Sequence, residues 1–409
     1  MPITRRAALA GAAVLGSAPL LRARAQGAPP AIKLGVLTDL GGTYRDTTGP
    51  NSVICTRQAI EEFNPSSHGF AVDLIEADHQ NKPDVAASIA RQWFDQGVDA
   101  VIDVPTSSVA LAVAQVAKEK DKIMLNGSAT TTDLTDKQCS PNTIVWSFDT
   151  YMMAQSNGGA TVKAGGKSWF FITADYVFGH ILEEQTAAVV KAAGGEVKGA
   201  LRYPFPDTTD FSSYLQQAQA SGAQVLGLAN AGGDTVNSVK QAHEFGVNQK
   251  MKITPLLIFI TDVHALGDLA IGLSATTSFY WDWNDRTRAF AKRVQPKLVN
   301  GAYPNMAHAS NYSMTLHYLK TVAAMGGAAN AKKSGRETVA RMKGIPTDDD
   351  AFGKGAVRAD GRGEFPAYLW RVKKPSKPGG WDLFEHVATT PADQALHPLN
   401  PSCKFPVTT

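Results

Sequence analysis

The chain has 409 residues, more than one ordinary core requires and enough for two domains. Its 44% hydrophobic and 19% charged residues exclude a disordered chain. The formal net charge of +3 comes from the first segment. Residues 1–25 carry four arginines and no acid, leaving 36 basic against 37 acidic residues, a balance that excludes a nucleic-acid or anionic-membrane binder.

That first segment reads as an export signal. Thr4-Arg5-Arg6 precedes an apolar run over residues 7–21, and Ala23-Arg24-Ala25 supplies an A-x-A cleavage site. The expectation is a twin-arginine-like signal peptide cleaved after Ala25, with the mature chain in the periplasm. No cysteine stands at the cleavage point to carry a lipid, and no later apolar run is long enough to cross a membrane. An oxidising compartment permits one disulfide among Cys55, Cys139 and Cys403. Cys55 falls in a helical stretch and reads as a small buried residue. Cys139 and Cys403 sit in polar, proline-containing loops and are paired on that ground. Their spacing fits no metal motif.

From Ile32 onward strands and helices alternate. Lys33-Leu34-Gly35-Val36-Leu37 is a first strand, followed by a polar loop over 38–49 and a helix with proline at its start. Residues 70–77 form a strand and 83–94 a helix. The short apolar runs Ala100-Val101-Ile102 and Ile123-Met124-Leu125 give two more strands, with a helix between them. A second series follows: helix 151–164, strand 169–173, helix 177–193, strand 196–203, helix 211–220, strand 224–228, helix 233–245 and strand 255–260. Residues 274–281 form a further extended run. This order predicts two α/β lobes with mainly parallel sheets. After Asp285 the pattern is helical and returns to the first lobe, residues 365–373 alternate like an edge strand, and a proline-rich tail covers the surface. The lobes are expected at 26–148 plus about 283–350 and at 149–282 plus about 351–375, with 376–409 as the tail.

Two strand ends of the first lobe carry hydroxyl-rich loops. Pro105-Thr106-Ser107-Ser108 leads into a helix, which puts Ser107 or Ser108 at its N-cap. Asn126-Gly127-Ser128-Ala129-Thr130-Thr131-Thr132 follows the next strand. Caps and turns would account for one such loop. Two at the same carboxyl edge of a parallel sheet, where open α/β sheets bind ligands, point to a carboxylate held by hydrogen bonds rather than by a cation. The second lobe offers Tyr176 and Phe178 after one strand, Asn230 after another, and Thr261 and Asp262 after a third. Gly232-Gly233-Asp234 suits either an anion cradle or an ordinary turn.

No catalytic constellation is present. The chain lacks a G-x-S-x-G elbow, a P-loop, H-E-x-x-H and G-x-G-x-x-G. Asp78-His79 cannot orient itself as a triad does, and His308 and His317 share no helical face. The chain is therefore read as a non-enzyme without metal or cofactor: a clamshell with hydroxyls on one lobe and aromatics on the other.

At this point the chain resembles the leucine/isoleucine/valine-binding protein family, the type I periplasmic solute-binding proteins of ABC importers. The resemblance is carried by Gly35-Val36-Leu37-Thr38 with Gly41-Gly42, Asp78, Thr106-Ser107-Ser108, Ser128-Ala129-Thr130 with Leu134-Thr135, Asp175-Tyr176-Val177-Phe178-Gly179 and residues 207–211. It implies two lobes joined by three hinge crossovers, a ligand enclosed between them, and a membrane permease with ATPase subunits as partners. It also implies that Ser107 or Ser108, Ser128 and Thr130 hold a carboxylate, with Ala129 among the ligand-binding residues, and that Tyr176 lines the far wall. The partner of an amino acid's ammonium falls at Thr261 or Asp262. Thr38-Asp39-Leu40-Gly41-Gly42-Thr43-Tyr44 and Phe279-Tyr280-Trp281-Asp282-Trp283-Asn284 resemble the branch that binds aromatic acids of the phenylpropanoid, benzoate and phenylpyruvate types. That favours such an acid over a branched-chain amino acid. A ligand sensor for a signalling partner is the other role such a fold can serve.

Overall fold

The computed structural model describes residues 30–408; the export signal read at 1–25 lies outside them. The first lobe is built on a parallel sheet ordered β2-β1-β3-β4-β5, made of β1 (Ala31–Thr38), β2 (Ala71–Asp78), β3 (Ala100–Asp103), β4 (Ile123–Asn126) and β5 (Thr143–Val145). β3 and β4 are buried at every position, as befits short apolar strands covered by helices on both faces. The second lobe repeats the plan with β6 (Ser168–Ala174), β7 (Glu196–Tyr203), β8 (Val225–Ala229) and β9 (Lys252–Pro255) in the order β7-β6-β8-β9, all parallel. Two antiparallel sheets complete the strands. β10 (Ser274–Thr277) pairs with β14 (Ala367–Val372), which pairs with β15 (Phe384–Thr390); β11 (Thr347–Asp349), β12 (Gly353–Val357) and β13 (Gly363–Glu364) form the other. The expected α/β class and the two mainly parallel lobes are what the structure shows.

Three connections run between the lobes side by side. The first leaves β5, the second follows β10, and the third joins β13 to β14. Hydrogen bonds fasten them together. Ser278 Oγ donates to Ser147 Oγ at 2.8 Å, and the Val145 amide donates to the Gly361 carbonyl at 2.9 Å. Arg362, fully buried, reaches Asp149 at 2.8 Å and donates to the Trp146 carbonyl at 2.7 Å.

Several elements differ from expectation. The strand read at 255–260 lies three residues earlier and ends at Pro255, whose ring removes a ladder donor. The apolar run behind it is a buried loop that opens the helix Ile260–Leu266, so Thr261 and Asp262 stand in a first helical turn. The helix read over 151–164 holds a π-helical turn at Ala154–Gly158. The strand read at 365–373 is central, because the tail beyond it supplies β15 instead of only covering the surface. Val357 and Phe365 pack in the same hydrophobic cluster as the strands of the first lobe. Cys139 and Cys403 are bonded, with Cα atoms 5.9 Å apart, tying the tail to the first lobe; Cys55 is free and buried.

Candidate functional site

The cavity of interest lies where the carboxyl ends of the two parallel sheets face each other. Tyr44, Thr47, Thr48, Pro105, Ser128 and Thr130 line it from the first lobe, and Tyr176, Phe178, Ala231, Leu257 and Phe259 from the second. The free space enclosed in it is about 20 Å³, room for about one water, so the two walls lie almost against each other.

Local structure places each hydroxyl. The loop after β1 is organised by Asp39, fully buried, whose carboxylate accepts from the Gly42 amide at 2.6 Å, the Tyr44 amide at 2.9 Å and Asn81 Nδ2 at 2.7 Å. This turn delivers Tyr44, and Thr47 and Thr48 follow just before the helix Gly49–Phe63. After β4, Asn126 clamps the next loop: its Oδ1 accepts from the Ala129 amide at 2.9 Å, and its Nδ2 donates to the Ala129 carbonyl at 2.7 Å. Ser128 and Thr130 are thereby turned to the cavity on either side of Ala129.

The far wall is aromatic. Tyr176 stacks on Phe205 at 4.2 Å and lies 5.7 Å from Phe178. Phe259 meets Phe148 edge-on at 6.1 Å. Burial pushes the phenols of Tyr44 and Tyr176 up, so both remain neutral donors.

The lobes touch around this cavity. The Tyr44 and Tyr176 hydroxyls are 2.5 Å apart, and Gln185 Nε2 donates to Thr132 Oγ1 at 3.1 Å. Thr43 is held twice: its hydroxyl donates to Asp234 at 2.9 Å, and its carbonyl accepts from the Gly233 amide at 2.9 Å. Gly232 permits this approach. Its φ is +61°, and a Cβ there would stand 2.6 Å from the Thr43 carbonyl oxygen. Gly232-Gly233-Asp234 thus receives the opposite lobe rather than an anion.

Of the residues expected at the site, Tyr44, Ser128, Thr130, Tyr176 and Phe178 meet at the cavity, and the backbone of Ala129 runs between two of them. Ser107 lies behind them: its Oγ accepts from the Thr131 amide at 3.3 Å, supporting the loop. Ser108 is in the helix Ser107–Glu119 and does not line the cavity, and Thr106, not either serine, is the N-cap. Asn230 turns into its own lobe, with Thr235 donating to its Oδ1 at 2.8 Å and its Nδ2 donating to Ser238 at 3.0 Å. Asp262 is spent as a helix cap, accepting from the Phe259 amide at 3.0 Å; burial pushes its carboxyl up to about 7. Thr261 borders a separate hollow beside Asp46, His264 and Trp381. His79, His308 and His317 are buried apart, each held below the usual imidazole range by desolvation.

Sequence reading missed Thr47, Thr48, Pro105, Ala231, Leu257 and Phe259. The threonine pair just ahead of Gly49-Pro50 carried a legible signal, because it closes the polar loop of the first strand. Leu257 and Phe259 were hidden by the strand misplaced over them.

No helix among the described residues is long and apolar enough to cross a membrane. No cluster of three or more potential metal ligands occurs among them. Comparison with known proteins agrees with this architecture. A periplasmic binding protein from Burkholderia mallei superposes with a TM-score of 0.84 at 44% identity, covering 90% of this chain and 96% of that one. Leu/Ile/Val-binding protein homolog 6 of Brucella abortus is 27% identical over 330 residues, 77% of this chain and 80% of the relative. The solute-binding protein of an ABC transporter from Rhodopseudomonas palustris, solved with benzoate, shares the fold with a TM-score of 0.77 at 20% identity, covering 88% and 97% of the two chains. The periplasmic binding protein family matches residues 31–378, and with two facing α/β lobes and a cavity between them this chain belongs to that family.

Proposed function

We propose that the protein captures a small carboxylate, an aromatic acid in preference to an amino acid, and presents it enclosed to an ABC permease and its ATPase subunits. The periplasm is the compartment that the family and the N-terminal reading support. The observation that carries the ligand reading is the composition of the cavity wall. It holds four aliphatic hydroxyls and two phenols but no acidic side chain. An ammonium enclosed there would lack a counter-charge, and a buried unpaired charge is costly. A carboxylate finds a donor in Thr130, and in Thr47, Thr48 and Ser128 once they turn from the groups they donate to in the free protein, the Tyr44 carbonyl at 3.0 Å for both threonines and Asp103 for the serine. An aromatic ring finds Tyr176, Phe178 and Phe259 as an apolar wall.

A branched-chain amino acid is the second reading, favoured by the kinship with the Leu/Ile/Val-binding homologues. A thermal-shift screen of the mature protein separates the two, because a ligand bound only to the folded state raises the melting temperature. Benzoate, 4-hydroxybenzoate, phenylpyruvate, hydroxycinnamates, leucine and valine form the panel. A rise with the aromatic acids and none with leucine or valine is expected; the reverse pattern would overturn the aromatic reading.

A further inference from the structure

One buried carboxyl group lies directly behind the ligand hydroxyls and serves no cap or ion pair. Asp103, at the end of β3, is 0% exposed. Its Oδ1 accepts from the Ser128 hydroxyl and from Asn311 Nδ2, the latter at 2.8 Å. Its Oδ2 is buried with no hydrogen bond of good geometry among the described residues, although the Thr38 and Ser52 hydroxyls face the group. The surrounding elements contribute Thr38 from β1, Ser52 and the Cys55 thiol from the helix Gly49–Phe63, Asn311 from the helix Met306–Ala324, and Ser128. His308, a turn before Asn311, points instead to the Thr48 carbonyl at 3.3 Å. None of these is a cation.

The backbone fixes this arrangement. Asp103 and Val104 sit at φ +81° and +54°, conformations that residues with side chains rarely adopt. Gly127 leaves room for Asn311: a Cβ there would be 2.3 Å from Asn311 Oδ1.

Ser128 has one proton to give. While it donates to Asp103, only lone pairs remain for the cavity, and an arriving carboxylate oxygen would meet them without a bond. Two carboxylates on either side of one hydroxyl cannot both accept from it. If Asp103 is protonated, its own O–H can donate to Ser128 Oγ, and Ser128 can then turn its proton to the ligand.

We propose that capture of a carboxylate at this site takes up one proton from solution, placed on Asp103, while Ser128 shifts its donation from Asp103 to the ligand. The proposal rests on the carboxylate reading above, whether the carboxylate is aromatic or an amino acid's. Charge balances: one anion and one proton enter together, and no covalent bond other than the new O–H is made. Burial pushes the Asp103 carboxyl upward, in the required direction, and a second negative charge in the cavity pushes it further.

Isothermal titration of the mature protein at pH 7.5, with benzoate or with leucine according to the screen, tests this in phosphate and in Tris. The two buffers differ in protonation heat, so the difference in observed heat counts protons. Uptake near one per ligand is expected, with affinity weakening toward about tenfold per pH unit as the pH is raised. Benzamide, isosteric with benzoate but neutral, should bind without uptake if it binds. Asp103→Asn keeps a donor facing Ser128 and should abolish uptake and flatten the pH dependence. Carboxylate binding with no uptake would overturn the proton linkage alone, a result available from the wild type even if the variant fails to fold. Uptake that persists in a folded Asp103→Asn protein would overturn its assignment to Asp103. No binding by any carboxylate of the panel would overturn the carboxylate reading and the linkage with it.

Discussion

At the scale of single residues, the proposed carboxylate site rests on hydroxyls held in a rigid frame. Ser128 and Thr130 flank a loop pinned by Asn126, so neither must be ordered when a ligand arrives. Hydrogen bonds to a charged partner contribute about 1.5–3 kcal/mol each. Thr130→Ala should therefore weaken carboxylate binding by about ten- to a hundredfold in a titration, while the melting temperature of the free protein stays nearly unchanged. A second prediction concerns Asp262. Its folded-state carboxyl is raised to about 7, above its unfolded value, so the folded chain holds a proton there that the unfolded chain releases. The stability this contributes is complete below the unfolded value near 4 and is lost as the pH rises through about 7. Asp262→Asn retains an oxygen for the Phe259 amide and does not titrate. Its melting temperature should fall less than the wild type's between pH 4 and pH 8; an equal fall in the two proteins would show that Asp262 does not contribute.

At the scale of elements, the lobes meet where a tight turn of one receives a loop of the other. Thr43 docks on the start of the helix Gly233–Glu244, and the glycine ahead of that helix makes the fit. Gly232→Ala would place a methyl group against the Thr43 carbonyl at a positive φ, at a local cost of about 1 kcal/mol or more. Small-angle scattering should then show a larger radius of gyration for the ligand-saturated variant than for the saturated wild type, with weaker affinity. Equal radii and affinities would mean that this contact takes no part in closure. The elements also show where sequence reading succeeds. Residues 83–94, with proline at the start and a clean apolar stripe, mark the helix Pro83–Asp95 to within one residue. The stretch 255–260 deceived because an apolar run that is buried as a loop has the composition of a strand. Its burial comes from contacts with distant parts of the chain, including Phe148. No local pattern records those contacts, and so Phe259 was not read as a wall of the cavity.

At the scale of the whole molecule, three adjacent connections let two lobes share one cavity while staying mechanically coupled. Arg362 is the bolt among them. It and Asp149 are both fully buried, and removing one partner leaves the other charge stranded. Arg362→Leu should cost about 3–5 kcal/mol in denaturant unfolding, far more than an exposed pair would. The architecture was legible from the alternation of strands and helices, because each lobe repeats a local unit. The tail was not. β15 is exposed along most of its length and therefore lacks the apolar signature of a strand; it exists because β14 presents an edge for it to pair with. The spacing of Ser107, Ser108, Ser128 and Thr130 pointed to the sheet edge at which the cavity lies. Which of those hydroxyls reach the cavity depends on the start of one helix and on the Asn126 clamp, neither of which a hydroxyl count reveals.

The measurement that bears most directly on this account is a calorimetric titration of the mature protein with benzoate and, separately, with leucine. The account predicts saturable, one-to-one binding of benzoate and much weaker or no binding of leucine, because the cavity wall supplies hydroxyl donors and aromatic surface but no acid for an ammonium. Tight leucine binding with no heat from benzoate would contradict it, and would require an ammonium partner that the cavity wall does not contain.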